Sequence, residues 1–435
     1  MKKYDAVIAG GGPAGSFLAH LLASEGYKVA LVEYKNAENY MAAKACGSLS
    51  SEKVLDLLRI MGIDEKEVVD SRFKTVSILD GTLNDLSRVK LNLVHLDRYN
   101  LGREMLEILA ADGVEVLTGY RADELIMKDD VVQGFKSSNG VVYRGRITID
   151  TTGFGGTLRR QLASKLPDAY FEPDDIIVGA VSEINKVSFE FDEPTIILSN
   201  TLAPGGYCWV TPLEKNTLIG LGFPPSFDNV LLENRLLYLY RILKIRPLTL
   251  RKYYGVLPIR RPLASSVFNG FMVLGDAASH GNPLFEGGIY SALYVAKLAG
   301  EIISNALAEK DDVLGINDLW TFNVRYMRER GWILGVLDVL RLFIQKFSQK
   351  NLYLFASALP EKMSFDLDTI LHISLGLLTT ILKPRIFWSL MEIAKHTIAI
   401  QDLYLRYPES PSEVFTWARK VENILKEVKK KKITI

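Results

Sequence analysis

The spacing of Gly10, Gly12 and Gly15 in GGGPAG suits a phosphate-binding turn. The first glycine permits a tight turn, the second lets a pyrophosphate approach the backbone, and the third lets a helix pack closely on a strand. Glu33 follows where a second strand would end, and its carboxylate could accept hydrogen bonds from ribose hydroxyls. Together these residues predict a dinucleotide site.

A second glycine-rich turn lies in the segment GDAASHGNPLFEGGIYSAL. Asp276 ends the segment GFMVLGD, whose apolar run predicts a buried strand before it, and Gly287 and Gly288 open a helical pattern. The turn offers a second helix N-terminus to a phosphate or carbonyl oxygen. A nicotinamide-dependent dehydrogenase has no need of this second site.

Cys46 lies in the loop after the strand that ends at Glu33. It is either a functional thiol or a small apolar filler, since free cysteines are among the most buried residues. Tyr207 and Trp209 alternate with Cys208 on a predicted strand, so the two rings should share one face. The rings form either a slot for an apolar chain or part of an ordinary core.

Cys208 is expected to line the cavity between the two rings as a filler. A redox pair with Cys46 would require both thiols in one cavity. His280, in the second glycine-rich turn, is either a turn residue bonded to backbone or solvent, or a further proton donor.

The hydrophobic pattern predicts the elements that position these residues. Residues 4–10 predict a strand, SFLAHLLASEG a helix that stops at Gly26, and KVALVE a second strand, which form a βαβ unit. The remaining predictions are strands within 72–95, 114–153 and 175–260, and helices at 97–113, at 287–308 and beyond 315.

This order predicts an α/β (α+β) fold with a Rossmann-like domain, an antiparallel-sheet domain and a helical C-terminal region. The cofactor-binding domain is predicted at 1–175 plus 255–310. The substrate-binding (catalytic) sheet is predicted at 176–254 and the helical domain at 311–435.

Composition excludes several classes of protein. The chain has 52 Lys and Arg against 51 Asp and Glu, so its net charge of +1 gives no field that would collect nucleic acid. Two cysteines cannot form a disulfide framework, and the N-terminus runs straight into a strand-like stretch, so we expect a cytoplasmic protein. No transmembrane helix is predicted. Lys426 and the lysines at 429–432 form either a solvated tail or a contact with anionic lipid headgroups.

Several motifs resemble a known family. GGGPAG, DTTG at 150–153 and GDAA…NP…GGI are similar to the p-hydroxybenzoate hydroxylase-type flavoproteins. KACG, PGGYCWVTP (204–212), LPIRRPL (257–263) and the segment LYLRYPESPSEVFTWARKVENIL resemble the geranylgeranyl reductase family, especially archaeal digeranylgeranylglycerophospholipid reductases. The resemblance covers essentially the whole chain.

The resemblance implies an FAD enzyme that saturates isolated double bonds of prenyl chains in membrane lipids. With the glycine turns, the expected FAD-binding residues are Gly10, Gly12, Ala14, Gly15, Glu33, Lys44, Ala45, Cys46, Gly47, Arg98, Ala122, Asp276, Gly287, Gly288 and Ile289. The expected catalytic residues are Cys46 and Tyr207, and the expected substrate contacts are Tyr207, Trp209, Pro212 and His280. No metal site is expected.

Two positions depart from the family pattern. Ala45 replaces the proline of K-P-C-G, which loosens the loop without removing the thiol. Thr211 stands where the lipid-contact signature P-x-x-Y-x-W-x-F-P has an aromatic residue, which changes the shape expected of the tail-binding cavity at that point.

The implied reaction takes a hydride from N5 of reduced FAD and a proton from the protein. Only one dinucleotide fingerprint is present, so the expected reductant is external: NAD(P)H, ferredoxin or another carrier protein. The expected partners are a prenylated lipid and the inner face of the membrane, by peripheral contact. The alternatives are a flavin monooxygenase or halogenase on the same scaffold, and a non-catalytic prenyl-lipid carrier.

Overall fold

The computed structural model describes residues 3–41, 46–186, 191–227, 231–246, 248–284, 287–359, 361 and 384–431, with side chains described in all of these except 384–390. The strands are β1 Lys3–Ala9, β2 Val29–Glu33, β3 Leu49–Ser51, β4 Val69–Asp80, β5 Asp85–Leu96, β6 Glu115–Thr118, β7 Ala122–Lys128, β8 Val131–Ser137, β9 Val142–Asp150, β10 Ile176–Asn185, β11 Thr195–Leu198, β12 Tyr207–Pro212, β13 Asn216–Phe223, β14 Thr249–Pro258, β15 Val267–Phe268 and β16 Phe271–Val273. The helices are α1 Pro13–Ser24, α2 Val54–Ile60, α3 Glu65–Val68, α4 Arg98–Ala111, α5 Leu232–Ile242, α6 Gly288–Glu309, α7 Ile316–Tyr326, α8 Trp332–Ile344, α9 Gln349–Ser357, α10 Pro384–Leu405 and α11 Val414–Lys430.

The first sheet is parallel at its centre. Its strands run in the order β15-β16-β9-β1-β2-β6, and β7 and β8 extend it antiparallel from β9. β1 lies between β2 and β9, with Val7 opposite both Ala30 and Thr148. Both faces of such a sheet are covered, so the buried parts of β1 and β2, residues 6–9 and 29–32, read as continuous apolar runs.

Helices α1 and α6 cover one face of this sheet. Pro13 begins α1, where its missing N–H costs nothing, and Phe17, Leu18 and Leu22 are buried. Gly300 of α6 lets the two helices approach, because a Cβ there would lie 3.1 Å from Leu21. The predicted βαβ unit and the predicted long helix are therefore confirmed.

The second sheet is mostly antiparallel, in the order β14-β10-β13-β12-β11-β4-β5-β3. β11 and β4 pair in parallel, with Ile196 opposite Ile78, and join strands from distant parts of the chain. Helix α5 covers one face, where Leu236 and Leu239 pack against Leu221. The opposite face borders a large cavity.

The predicted fold class, with a Rossmann-like domain, an antiparallel sheet and a helical C-terminal region, is confirmed. The domain boundaries stay a prediction. The second sheet also takes β3, β4 and β5 from residues 49–96, which the sequence division placed in the cofactor-binding domain. These strands are recruited by pairing across the chain, which local patterns do not report.

The C-terminal helices pack on the first domain around buried charges. Arg261 lies 3.6 Å from Asp338 on α8, and Arg341 of α8 donates to Asp338 at 2.6 Å. A five-residue π-helical turn, Met327–Gly331, joins α7 to α8. Within the part of the chain that the structure describes, no helix is both long and apolar enough to cross a bilayer.

Candidate active site

A cavity of about 770 Å³ lies between the two sheets. It collects most of the residues that the sequence singled out. Those that line it are Gly10, Gly12, Ala14, Glu33, Cys46, Gly47, Arg98, Ala122, Tyr207, Trp209, Asp276, His280, Gly287, Gly288 and Ile289. Gly15 and Pro212 do not line it, and Lys44 and Ala45 fall outside the described residues.

The first glycine turn is built around Thr151. Gly10 has φ +103°, and a Cβ there would lie 2.4 Å from the carbonyl oxygen of Thr151. A Cβ on Gly15 would lie 2.0 Å from the Gly10 oxygen, so Gly15 serves close packing. A Cβ on Gly12 would meet nothing within 4 Å, since Gly12 faces the cavity. The turn therefore leaves room for a ligand at its second glycine.

Two helix N-termini face this cavity without a side-chain cap. Gly12 precedes α1 and Gly287 precedes α6, and neither provides a side chain to the first N–H groups of its helix. Uncapped N–H groups and the helix dipole favour a ligand oxygen that carries negative charge. A Cβ on Gly287 would also meet nothing within 4 Å. The two ends fit a pyrophosphate and a ring carbonyl, as a flavin dinucleotide would present them.

Glu33, at the end of β2, is held by the first turn. Its carboxylate accepts from the backbone N–H of Gly11 at 2.6 Å and from that of Lys35 at 2.9 Å. Burial raises the pKa of Glu33, and the two N–H groups oppose that shift. The carboxylate also lines the cavity, so further lone pairs can accept ribose hydroxyls.

Arg98, the first residue of α4, lines the same cavity. Asp97 caps the helix by accepting from the N–H groups of Tyr99 and Asn100. The Nε of Arg98 donates to the carbonyl oxygen of Met41 at 2.9 Å, which orients the guanidinium beside the cavity. A cation here can neutralise a pyrophosphate.

Cys46 is half-buried on the cavity wall. Its Sγ accepts from the N–H of Ser48 at 3.3 Å. The next residue, Gly47, lies against Trp209, because a Cβ on Gly47 would come within 3.3 Å of the indole Nε1. The thiol loop and the aromatic strand β12 therefore meet on the cavity wall.

Tyr207 and Trp209 share one face of β12, as predicted, with ring centroids 5.9 Å apart. The indole lies over Gly220 of the neighbouring strand β13. Thr211 lines the cavity from the same face, fully buried, and its Oγ1 has no hydrogen-bond partner among the described residues. A hydroxyl in place of the aromatic residue thus leaves a polar atom at this point of the wall.

The prediction for Cys208 was wrong. Neighbouring residues on a strand face opposite sides, so Cys208 packs in the core under α5 with Leu221 and Leu239 and does not line the cavity. Burial raises the pKa of its thiol. The two thiols do not share a cavity, and a Cys46–Cys208 redox pair is excluded in this structure.

His280 is a buried turn residue on the cavity wall. Its Nδ1 accepts from the N–H of Gly275 at 3.2 Å, so Nε2 carries the proton and donates to Ser266 Oγ at 3.2 Å. Burial lowers the pKa of His280 to about 3. The imidazole is therefore neutral near neutral pH, with its one N–H already engaged.

The sequence reasoning missed the apolar wall of the cavity. This wall is formed by side chains of β4, β5 and β11 and by Leu359, which follows α9. The strand residues are Val76, Ile78, Val89, Leu91, Leu93 and Ile196. Alternation in 72–95 signalled the strands but not which face meets the ligand. Tyr290, Tyr294 and Arg330 were also missed. The two tyrosines stand four residues apart just after the second glycine turn, which is a helical-face signal, whereas Arg330 had none.

Comparisons with known proteins agree with this geometry. A family model described as an FAD binding domain matches residues 3–123. A digeranylgeranylglycerophospholipid reductase of Sulfolobus acidocaldarius is 27% identical over 98% of this chain and 98% of its own length. One from Methanospirillum hungatei is 29% identical over 71% of this chain and 78% of its own.

A solved structure extends the likeness to the fold. A geranylgeranyl bacteriochlorophyll reductase-like protein of Thermoplasma acidophilum superposes with a TM-score of 0.79 at 21% identity, covering 90% of this chain and all of that one (100%). FAD is thus the cofactor, and the predicted resemblance to geranylgeranyl reductases is confirmed. The chain is an FAD-dependent oxidoreductase, and it is similar over nearly its whole length to the digeranylgeranylglycerophospholipid reductase of Sulfolobus acidocaldarius.

Proposed function

We propose that this protein reduces isolated carbon–carbon double bonds in the prenyl chains of lipids. The observation that carries the proposal is one continuous cavity, in which the glycine turns of the cofactor site share a space with the apolar wall of β4, β5 and β11. A polar substrate that has no apolar chain would leave that wall in contact with water, whereas a prenyl chain would bury it. The names of the relatives support the same substrate class.

FAD would be held by residues at both glycine turns. The N–H groups at the start of α1 and the Arg98 guanidinium suit its pyrophosphate, and Glu33 suits its ribose. The start of α6, at Gly288 and Ile289, suits the carbonyl edge of the isoalloxazine ring, where negative charge collects on reduction. When bound and reduced, FAD supplies the hydride. The donor that reduces it is NAD(P)H, ferredoxin or another carrier.

The protein supplies the proton that completes the saturated bond. Cys46 and Tyr207 line the cavity, and we propose them as the donors. His280 is a weaker candidate, because its imidazole is neutral and its N–H is bonded to Ser266. The proton goes to the carbon that does not receive the hydride, so each reduced bond gains two hydrogen atoms. The apolar wall keeps water from the reacting bond.

Contact with a membrane is part of the proposal. Lys426, Lys429, Lys430 and Lys431 are exposed at the end of α11. A cluster of lysines attracts anionic lipid surfaces over about one Debye length. Peripheral binding there would bring the enzyme to its lipid substrate.

The deciding experiment uses the FAD-loaded protein, photoreduced without oxygen and mixed with a geranylgeranyl lipid. We expect reoxidation of the flavin in step with a product that is heavier by one pair of hydrogen atoms per saturated bond, measured by mass spectrometry. Unchanged lipid would contradict the proposal. Oxygen insertion after aeration would instead indicate a monooxygenase, and bound but unreacted lipid a carrier.

A further inference from the structure

The π-helical turn Met327–Gly331 places an arginine on the cavity wall opposite α6. Tyr290 and Tyr294, in the first two turns of α6, line the same part of the cavity as Arg330. π-helical turns recur at functional sites because the extra residue redirects the side chains that follow it. Ile333, at the start of α8, continues the same wall with an apolar side chain.

The two tyrosines hold the guanidinium of Arg330. Its Nη2 donates to the Tyr290 hydroxyl at 2.8 Å. The guanidinium carbon lies 4.6 Å from the centroid of the Tyr294 ring and 5.4 Å from that of the Tyr290 ring. Cation–π contact and hydrogen bonding to the two tyrosine side chains fix the orientation of the group, and the remaining N–H donors of its planar fork can serve a ligand.

Arg330 differs from the neighbouring arginines in the way its charge is paired. Arg325 pairs with Glu301 at 2.8 Å, and Arg328 pairs with Glu409 at 2.7 Å. Among the described residues, no carboxylate lies within 4.0 Å of the Arg330 guanidinium. An arginine that is oriented by aromatic rings, with no carboxylate of the described residues at ion-pair distance, is suited to bind an anion that comes from outside the chain.

This end of the cavity reaches the protein surface. The Tyr294 hydroxyl donates to Glu329 at 3.1 Å, and the side chain of Glu329 is 48% exposed. A ligand can therefore present a hydrated group here while an attached apolar chain follows Ile333, Leu334 and Leu337 inward along the cavity. Tyrosine rings suit such a boundary, since each combines an apolar body with a polar tip.

We infer that Arg330, oriented by Tyr290 and Tyr294, binds a phosphate at the head of the prenyl substrate. The protein then prefers prenyl chains that carry phosphate, as a diphosphate or a phosphoglycerol group, over the neutral prenyl alcohol. This inference rests on the proposed function and names the residues that would recognise the phosphate of its substrate. Arg330 is a binding and positioning residue, distinct from the residues proposed to give the proton.

The test compares two probes that differ only at the head, geranylgeranyl diphosphate and geranylgeraniol, on the wild-type holoenzyme and on Arg330→Gln. Equilibrium binding to the oxidised holoenzyme is measured by perturbation of the flavin spectrum, and KM and kcat are measured on the reduced enzyme. A charge-assisted bond to phosphate predicts that Arg330→Gln weakens binding of the diphosphate by about tenfold to a hundredfold relative to its effect on the alcohol. The effect should fall on KM rather than kcat.

Arg328→Gln is the matched control, because it removes the same charge from the same π-helical turn, at a side chain that pairs with Glu409 and does not line the cavity. It should leave the preference of the enzyme for the diphosphate as in the wild type. Arg330→Lys should restore only part of the preference, since lysine keeps the charge without the planar fork. FAD content, read from the absorbance ratio, checks that each variant is folded.

Equal affinity of the wild type for both probes, or an Arg330→Gln variant with an unchanged preference, would overturn the inference. Competition by inorganic diphosphate as strong as that by the prenyl diphosphate would also overturn it, because the site would then bind a bare anion rather than a lipid head. If neither probe is reduced while Arg330-dependent binding persists, the reductase proposal fails and the head-group site stands.

Discussion

The indole of Trp209 lies over Gly220, where a Cβ atom would come within 2.3 Å of ring carbon Cζ2. The same indole presents Nε1 to Gly47 on the thiol loop. Trp209 is therefore fixed between two glycines, one on β13 and one beside Cys46. Its position on the cavity wall depends on both residues lacking a side chain.

Gly220→Ala should move the indole. The overpacked methyl group would cost about 1–3 kcal/mol of stability and force Trp209 toward the cavity. We expect a raised KM for a prenyl substrate with FAD content retained, measured by steady-state kinetics and absorbance. Gly222→Ala, two residues along on the same strand, is the control, since its methyl group would meet the flexible Ile177 side chain at 3.3 Å and the Val178 carbonyl oxygen at an ordinary contact distance of 3.6 Å. Equal effects of the two changes would argue against a specific role for the Trp209 position.

Cys46→Ala should keep bound FAD and lose most alkene reduction. A positioned proton donor contributes about a hundredfold or more to rate, so kcat should fall by that factor. Single-turnover reoxidation of the reduced flavin by a geranylgeranyl lipid measures the step directly. Cys208→Ala, in the core under α5, should leave turnover in place. Unchanged turnover in Cys46→Ala would assign the thiol to the shape of the cavity and leave Tyr207 as the donor.

Glu33→Gln should weaken FAD binding. The amide keeps the shape but accepts fewer hydrogen bonds, while Gly11 and Lys35 already occupy part of the group. We expect the dissociation constant of FAD to rise by about tenfold or more, as for loss of a bond to a charged group. Titration of the apoprotein by flavin fluorescence gives the value. Glu38→Gln, exposed just beyond β2, is the matched control and should bind FAD as the wild type does.

His280 predicts a dependence of stability on pH. Its pKa is about 3 when folded and about 6.5 when unfolded, so the unfolded chain binds the extra proton between these values. The contribution of the neutral His280 imidazole to the free energy of unfolding is fully present above pH 6.5 and is lost as the pH falls toward 3. Compared with His280→Gln, the wild-type protein should lose up to about 1.4 kcal/mol of unfolding free energy per pH unit in that window.

Urea unfolding at several pH values between 4 and 8, roughly spanning the window set by the two pKa values, measures the difference between the two proteins. Carboxylates that titrate in both proteins contribute equally to the pH dependence of unfolding, so their contribution cancels in the comparison. Parallel curves for the two proteins across the window would contradict a buried neutral imidazole. The slopes should coincide above pH 7, which serves as the internal control.

Local sequence signals were sufficient to bring together, on one cavity wall, the residues proposed to bind the cofactor. Gly10, Gly12 and Glu33 follow from one contiguous βαβ pattern, and Gly287 from the start of one long helix. The substrate half was less accessible, because β4 and β11 meet only through pairing between residues 77 and 195 and their neighbours. The strand that contains Cys208 was predicted correctly. The position of Cys208 was predicted wrongly, because successive side chains on a strand face opposite sides and Cys208 therefore faces away from Tyr207 and Trp209. Arg330 depends on a π-helical turn, which no simple periodicity reports.

The strand order also dictates when the site can exist during synthesis. β9 completes its pairing only when β16, at residues 271–273, adds beside it, and the second helix terminus at Gly288 comes later still. A nascent chain that has emerged only as far as β14 holds the first glycine turn but lacks the strand and helix that close the site. We therefore expect FAD to bind only after β16 and α6 are in place, so that chains truncated after β14 would remain without cofactor.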